Sequence, residues 1–268
     1  MLRVALFVEG STGSRSRRHD AFQGIWQHEL PTALHLRRID RVFPISKKHL
    51  VAMDPSCPPM SGAGEPLDAL MARKLASDPF DAAVIAWDLV PEWASASPGS
   101  CRWHETQQLY RCLAASRHLP MGWSTWAARK DAELSSRQHP QERLTPPRLE
   151  RCATLAICME PDFEGLLVAS ESGVRRALGV RGRPVKGWPT RWRDPGVTRP
   201  EIDLLQAALL AARKLTPLPA PLRRIRGDLW TAKHEWGEYL LRTLFRDPQS
   251  RAALEDHSIA QRLRELLG

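Results

Sequence analysis

Leu2-Arg3-Val4-Ala5-Leu6-Phe7-Val8-Glu9-Gly10-Ser11-Thr12 opens the chain, and its reading decides the fold. A compact apolar run ended by Glu-Gly predicts a strand buried on both faces, followed by a turn. The run is short, is interrupted by turn residues and lacks a small-residue cleavage site, so it reads as a strand and not as a signal peptide. Outward from it, Phe22, Ile25, Trp26 and Leu30 recur at helical spacing over 16–30, and Pro31 is expected to end that helix. Residues 34–45 alternate apolar and basic positions, as a second strand near a sheet edge does.

Residues 49–64 are rich in Pro, Ser, Gly and Met and read as a loop. A helix is expected over 66–76, a third buried strand over 81–90, and a helix over 103–115. The polar, proline-punctuated stretch 124–151 reads as a partly helical excursion over the surface. A fourth strand follows over 154–159, and a helix starting in 163–169 is expected to continue to Leu178. Residues 181–199 form a basic loop, and 201–267 read as three helical pieces broken near 217–221 and at Asp247-Pro248. Strands alternating with helices imply an α/β fold: a mostly parallel sheet of about four strands flanked by helices, with a helical C-terminal region. The expected division is an α/β core with insertions over 1–180, and a basic loop and helices packing on it over 181–268.

Apolar residues make up 43% of the 268, enough for a full-sized core. No apolar run reaches the length of a bilayer span. The net charge of +9 favours a polyanionic partner, because basic side chains release counterions from a phosphate backbone. Cys57, Cys101, Cys112, Cys152 and Cys158 form no CxxC pair, which argues against a zinc knuckle and suits reduced thiols in a cytoplasm. Among ten tryptophans, Trp93, Trp103 and Trp123 are candidates to stack on bases, with core packing the commoner role.

In open parallel sheets ligands sit beyond the carboxyl ends of the strands. Glu9 follows the first strand, Asp88 the third with Glu92 four residues on, and Glu160, Asp162 and Glu164 the fourth. Carboxylates gathered at one edge repel unless a cation neutralises them, and Mg²⁺ takes oxygen ligands together with waters and substrate phosphates. The competing reading is helix capping, which suits Asp162 and suits Glu9 poorly, since glutamate is not a favoured N-cap.

The VEGST turn after the first strand, Asp88 at the end of the third, and the segment TLAICMEPDFEGLLVAS resemble Toprim domains. The nearest likeness is to small bacterial Toprim-like proteins akin to the nuclease domain of overcoming-lysogenization-defect proteins. It covers about the first 170 residues, with an echo in the closing SIAQRLRELLG. The resemblance implies a Toprim-like (Rossmann-like) core and a Mg²⁺- or Mn²⁺-dependent nuclease acting on DNA or RNA. Glu9 would be a metal ligand or acid/base, Asp88 a metal ligand, Glu160 or Glu164 the ligand of a second site, and Glu92 a substitute ligand from the loop. It also implies a role in antiviral defence beside an ATPase partner, with room for a homo-oligomer. The Asp-x-Asp pair of such domains is incomplete here, because Val90 stands two residues after Asp88. That departure keeps an alternative open: a catalytically degenerate subunit that binds nucleic acid or a partner protein.

Nucleic-acid contacts are expected from Arg15, Arg17 and Arg18 after the glycine-serine turn, and from Arg183, Lys186, Arg191 and Arg193, interleaved with Trp188 and Trp192. Arg175, Arg176 and Arg181 extend the second cluster. The turn lacks a Walker lysine, there is no nucleophile elbow, and the histidines show no metal spacing. A flavodoxin-like nucleotide-binding domain is the weaker reading, because an acid occupies the first turn where a phosphate would sit.

Overall fold

The computed structural model describes residues 2–9, 24–45, 49, 65–88, 103–136, 149–159, 170–180, 219–223 and 233–268. Its four strands are β1 (Val4–Glu9), β2 (Arg41–Ile45), β3 (Ala82–Asp88) and β4 (Ala153–Met159). They form one all-parallel sheet in the order β2-β1-β3-β4. The expected α/β class is therefore observed.

The pleat of β1 sorts the core into two layers. Val4, Leu6 and Val8 belong to one cluster and Ala5 and Phe7 to the other, and all five are fully buried. The second cluster is covered by α2 (Leu67–Ser77), α3 (Trp103–Ala115) and α4 (Met121–Ser136). The first is covered by a π-helical turn (Ile25–Glu29) running into α1 (Leu30–Leu34). With them pack α5 (Glu171–Leu178), α6 (Ala220–Arg223), α7 (Lys233–Arg246), α8 (Pro248–Glu255) and α9 (Ser258–Leu267). Each fully buried Val, Leu, Ile or Phe contributes about 1.5–3 kcal/mol, so neither layer is dispensable.

Several local expectations are corrected. Pro31 does not end the first helix. The turn before it widens to i→i+5 pairing, with Leu30 N–H donating to Ile25 O, and the proline sits at the head of α1. A widened turn absorbs the ring clash and the missing donor that would break a regular helix. The helix stops instead at His35, in the left-handed region at φ 54°. The strand expected over 34–45 therefore begins only at Arg41, since Leu34 is still helical. Pro44 lies inside this outer strand, which pairs with β1 from Ala5↔Arg41 to Glu9↔Ile45. Such a proline is tolerated where its nitrogen faces away from the paired neighbour.

Within the stretch 124–151, the described residues 124–136 are helical as expected but are not a surface excursion. Residues 121–136 of it and its lead-in are α4, which buries Trp123, Trp126, Ala127, Lys130 and Leu134. Lys130 lays its stem against the core while its ammonium meets Glu133 at 2.5 Å. A helix continuous from 163 to Leu178 is also corrected: Ser170 is non-helical (φ −133°, ψ 89°) and caps a new helix by accepting from Gly173 N–H. The C-terminal break at Asp247-Pro248 is observed, and a further one falls at Asp256-His257.

At the amino edge of the sheet, carboxylates are structural. Asp40 Oδ2 accepts from Val4 N–H at 2.8 Å, and Asp81 Oδ2 from Arg3 N–H at 2.9 Å. Asp78 pairs with Arg3 at 2.8 Å. Because Val4 is fully buried, Asp40→Ala leaves its N–H without a partner and should cost about 1–3 kcal/mol in urea denaturation. Gly173 is a point of close approach: a Cβ there would lie 2.0 Å from Ser250 Oγ and 2.6 Å from Leu244 Cδ2. Gly173→Ala should cost about 1–3 kcal/mol in the same measurement, by forcing α5 away from α7 and α8.

Candidate active site

The strand order puts a switch point beside β1, with β2 on one side and β3 on the other. Crevices at the carboxyl edge of such a point are where ligands bind in this class of sheet. Glu9, half-buried, is the last residue of β1, and Asp88 is the last residue of β3. The fold thus delivers both to one edge, on adjacent strands.

The register refines this placement. Val8 pairs with Ala86, so the position level with Glu9 is 87, and Asp88 lies one residue beyond. Ala82, Val84 and Ala86 belong to the first cluster, as Val4, Leu6 and Val8 do. Position 88 shares their parity, whereas Glu9 shares that of Ala5 and Phe7 in the second cluster. The two positions therefore fall on opposite faces of the pleat. Asp88 is in turn level with Met159, the last residue of β4.

Glu92, Glu160 and Glu164 lie outside the described residues, as do Arg15, Arg17, Arg18, Arg183, Lys186, Arg191 and Arg193. Among the described residues, no group of three or more His, Cys, Asp or Glu side chains is close enough to share a metal ion. No helix there is long and apolar enough to cross a membrane. Neither Cys112 nor Cys152 is in a disulfide.

Three residues weighed for nucleic-acid contact have structural partners, and for Trp123 the commoner role, core packing, is the one observed. Trp123 is buried against the sheet. Arg175 pairs with Glu171 at 2.7 Å within α5. Arg176 reaches Asp247, the N-cap of α8, whose carboxylate also accepts from Ser250 N–H at 3.0 Å and from the Ser250 hydroxyl.

A basic pocket that sequence reasoning missed lies on the Glu9 side of the sheet. Its volume is about 490 Å³, between β2 and α2, and its lining includes Arg41, Phe43, His49, Leu70, Arg73 and Lys74. Arg73 grips Glu65 through two hydrogen bonds, Nε to Oε1 at 3.0 Å and Nη2 to Oε2 at 2.5 Å. This pairing holds the Glu65 carboxyl below its ordinary value and raises Arg73. Burial, opposed by Glu65 and reinforced by Arg73, lowers His49 and favours the neutral imidazole. The Lys74 ammonium stands 5.3 Å from the centroid of the Phe43 ring. The alternation of basic and apolar residues through 37–43 was the available signal. The partners from α2 could not be assigned to it without the register.

The hydrogen bond from the Ser250 hydroxyl, helped by Arg176 and by Ser250 N–H, holds the Asp247 carboxyl below the usual carboxylate range. A depressed carboxyl stabilises the fold above its unfolded value, near 3.9, and loses that contribution as pH falls through the folded value. Asp247→Asn keeps a competent cap but loses the charge, so it should be less stable than wild type by up to about 1 kcal/mol at neutral pH. In urea titrations at descending pH the gap should close below about pH 4, as the wild-type carboxyl is protonated.

No family model, no curated protein and no solved structure matches this chain.

Proposed function

We propose that the chain is a Mg²⁺-dependent nuclease with a Toprim-like core, hydrolysing phosphodiester bonds of DNA or RNA. The observation that carries this reading is the placement of Glu9 and Asp88 at the carboxyl ends of adjacent parallel strands, beside the switch point of the sheet. The acids at the opposite edge, Asp40, Asp78 and Asp81, are occupied with strand ends and arginines. Carboxylate oxygens are the donors Mg²⁺ takes, so Glu9 and Asp88 fit the ion in kind, and Glu92, Glu160 and Glu164 are the candidates to complete its set. Bound there, the ion would polarise a phosphoryl oxygen and lower the pKa of a water. The net charge of +9 supports a polyanionic substrate. Antiviral defence with an ATPase partner belongs to the proposal on the strength of the resemblance.

A second reading, a degenerate module that binds nucleic acid or a partner protein without catalysis, is favoured by two observations. Val90 stands where Toprim domains carry a second acid. Glu9 and Asp88 are also one residue out of level across the β1–β3 ladder.

Calorimetric titration of Mg²⁺ and Mn²⁺ into wild type and Glu9→Ala/Asp88→Ala, with the same samples assayed on plasmid and on total tRNA, separates the two. The nuclease reading expects metal binding and cleavage to fall together in the double variant, cleavage by about a hundredfold or more. A wild type that binds no metal and cuts neither substrate would move the function to the degenerate module.

A further inference from the structure

The basic pocket between β2 and α2 is chemically unlike the acidic strand ends. Three permanent cations, Arg41, Arg73 and Lys74, line it, and among the described residues no carboxylate does. The neighbouring acids neutralise them only in part. Glu65 engages Arg73, while Asp78 lies closer to Arg3, at 2.8 Å, than to Arg41, at 3.8 Å. Among the described residues Lys74 makes no ion pair within 4.0 Å, and its ammonium is held against the Phe43 ring. An ammonium that feels Glu65 only at longer range, beside two guanidinium groups, is a site for a compact, multiply charged anion.

The remaining lining and the volume narrow the ligand. Phe43 and Leu70 supply apolar surface, and about 490 Å³ falls within the range of small-molecule pockets, well above what an inorganic ion needs. Phe43 is level with Phe7 and has the parity of Ile45, which is level with Glu9. The pocket therefore opens on the same sheet face as Glu9, with Arg41 at the start of β2 and Arg73 and Lys74 in the later half of α2, toward the amino edge.

We propose that this pocket binds the phosphomonoester of a nucleotide, free or at the end of a nucleic-acid strand: Lys74, Arg41 and Arg73 meet the phosphate, and Phe43 and Leu70 contact the nucleoside. In its strand form the inference deepens the nuclease reading and rests on it, since the pocket and Glu9 share one face of the sheet.

Two matched pairs of probes test it on the full chain, in chelator so that no cleavage intervenes. AMP and adenosine are compared by calorimetry. A short single-stranded oligonucleotide with a terminal phosphate is compared with its terminal-hydroxyl twin by fluorescence anisotropy. At least one phosphorylated probe should bind about tenfold tighter than its partner, the loss expected for one charge-assisted hydrogen bond. Preference in the AMP pair alone assigns the pocket to a free nucleotide, and preference in the strand pair to a strand end. Lys74→Gln/Arg41→Gln should abolish the preference. Glu65→Gln, which releases the Arg73 fork, should increase it, and this gain cannot come from misfolding. Equal binding within both pairs, or a preference that survives the double variant, overturns the proposal. The nuclease reading fails separately: Glu9→Ala should leave the phosphate preference intact whether or not it removes cleavage.

Discussion

Everything in this molecule hangs on β1 being sealed on all sides. Its five residues Val4 to Val8 expose no surface, its backbone pairs with β2 on one flank and β3 on the other, and both its faces carry a helical layer. A strand so enclosed has no water to satisfy its ends. The chain answers at the amino end with Asp40, which takes the Val4 N–H, and Asp81, which takes the Arg3 N–H. Asp40 precedes β2 and Asp81 precedes β3, so the same two residues tie the central strand to both neighbours at the point where each begins.

The strands were readable because burial on both faces leaves an unbroken apolar run, which no amphipathic helix imitates at that length. The same criterion failed for β2, an outer strand whose basic alternation merged with the helix before it. Residues 103–115 were readable from end to end because one stripe, Leu109 and Leu113, dominates a polar background. The helix α4 was not, although Trp123, Trp126, Ala127, Lys130 and Leu134 follow helical spacing. Trp126 and a lysine in a polar, proline-punctuated stretch read as a partly helical surface excursion. Here the lysine stem counts as apolar area and only its ammonium needs a partner. Pro31 misled for a related reason: the rule that proline ends a helix assumes a regular turn ahead of it.

For the site, parity was the part that single-sequence reasoning could not reach. Knowing that Glu9 and Asp88 follow strands gives their edge. Knowing that they differ by one step in the pleat requires the pairing of Val8 with Ala86. Arg175 and Arg176, read from the chain as part of a basic cluster, each pair with a carboxylate, Glu171 within the same helix and Asp247 at the head of α8. Arg73 and Lys74 show what replaces that cluster: adjacent cations on α2, joined by Arg41 from a strand some thirty positions earlier, assembled only by the crossover.

The proline within β2 has a consequence for how the protein behaves in concentrated solution. β2 is an outer strand of the sheet, and the outer flank of a strand is a row of donors and acceptors open to any passing segment of extended chain. Pro44 removes a donor from that row, and the charged side chain of Arg41, more than half exposed, stands at its start. The β2 flank is thereby made a poor template for strand addition, which guards the sheet against fibrous self-association along that side.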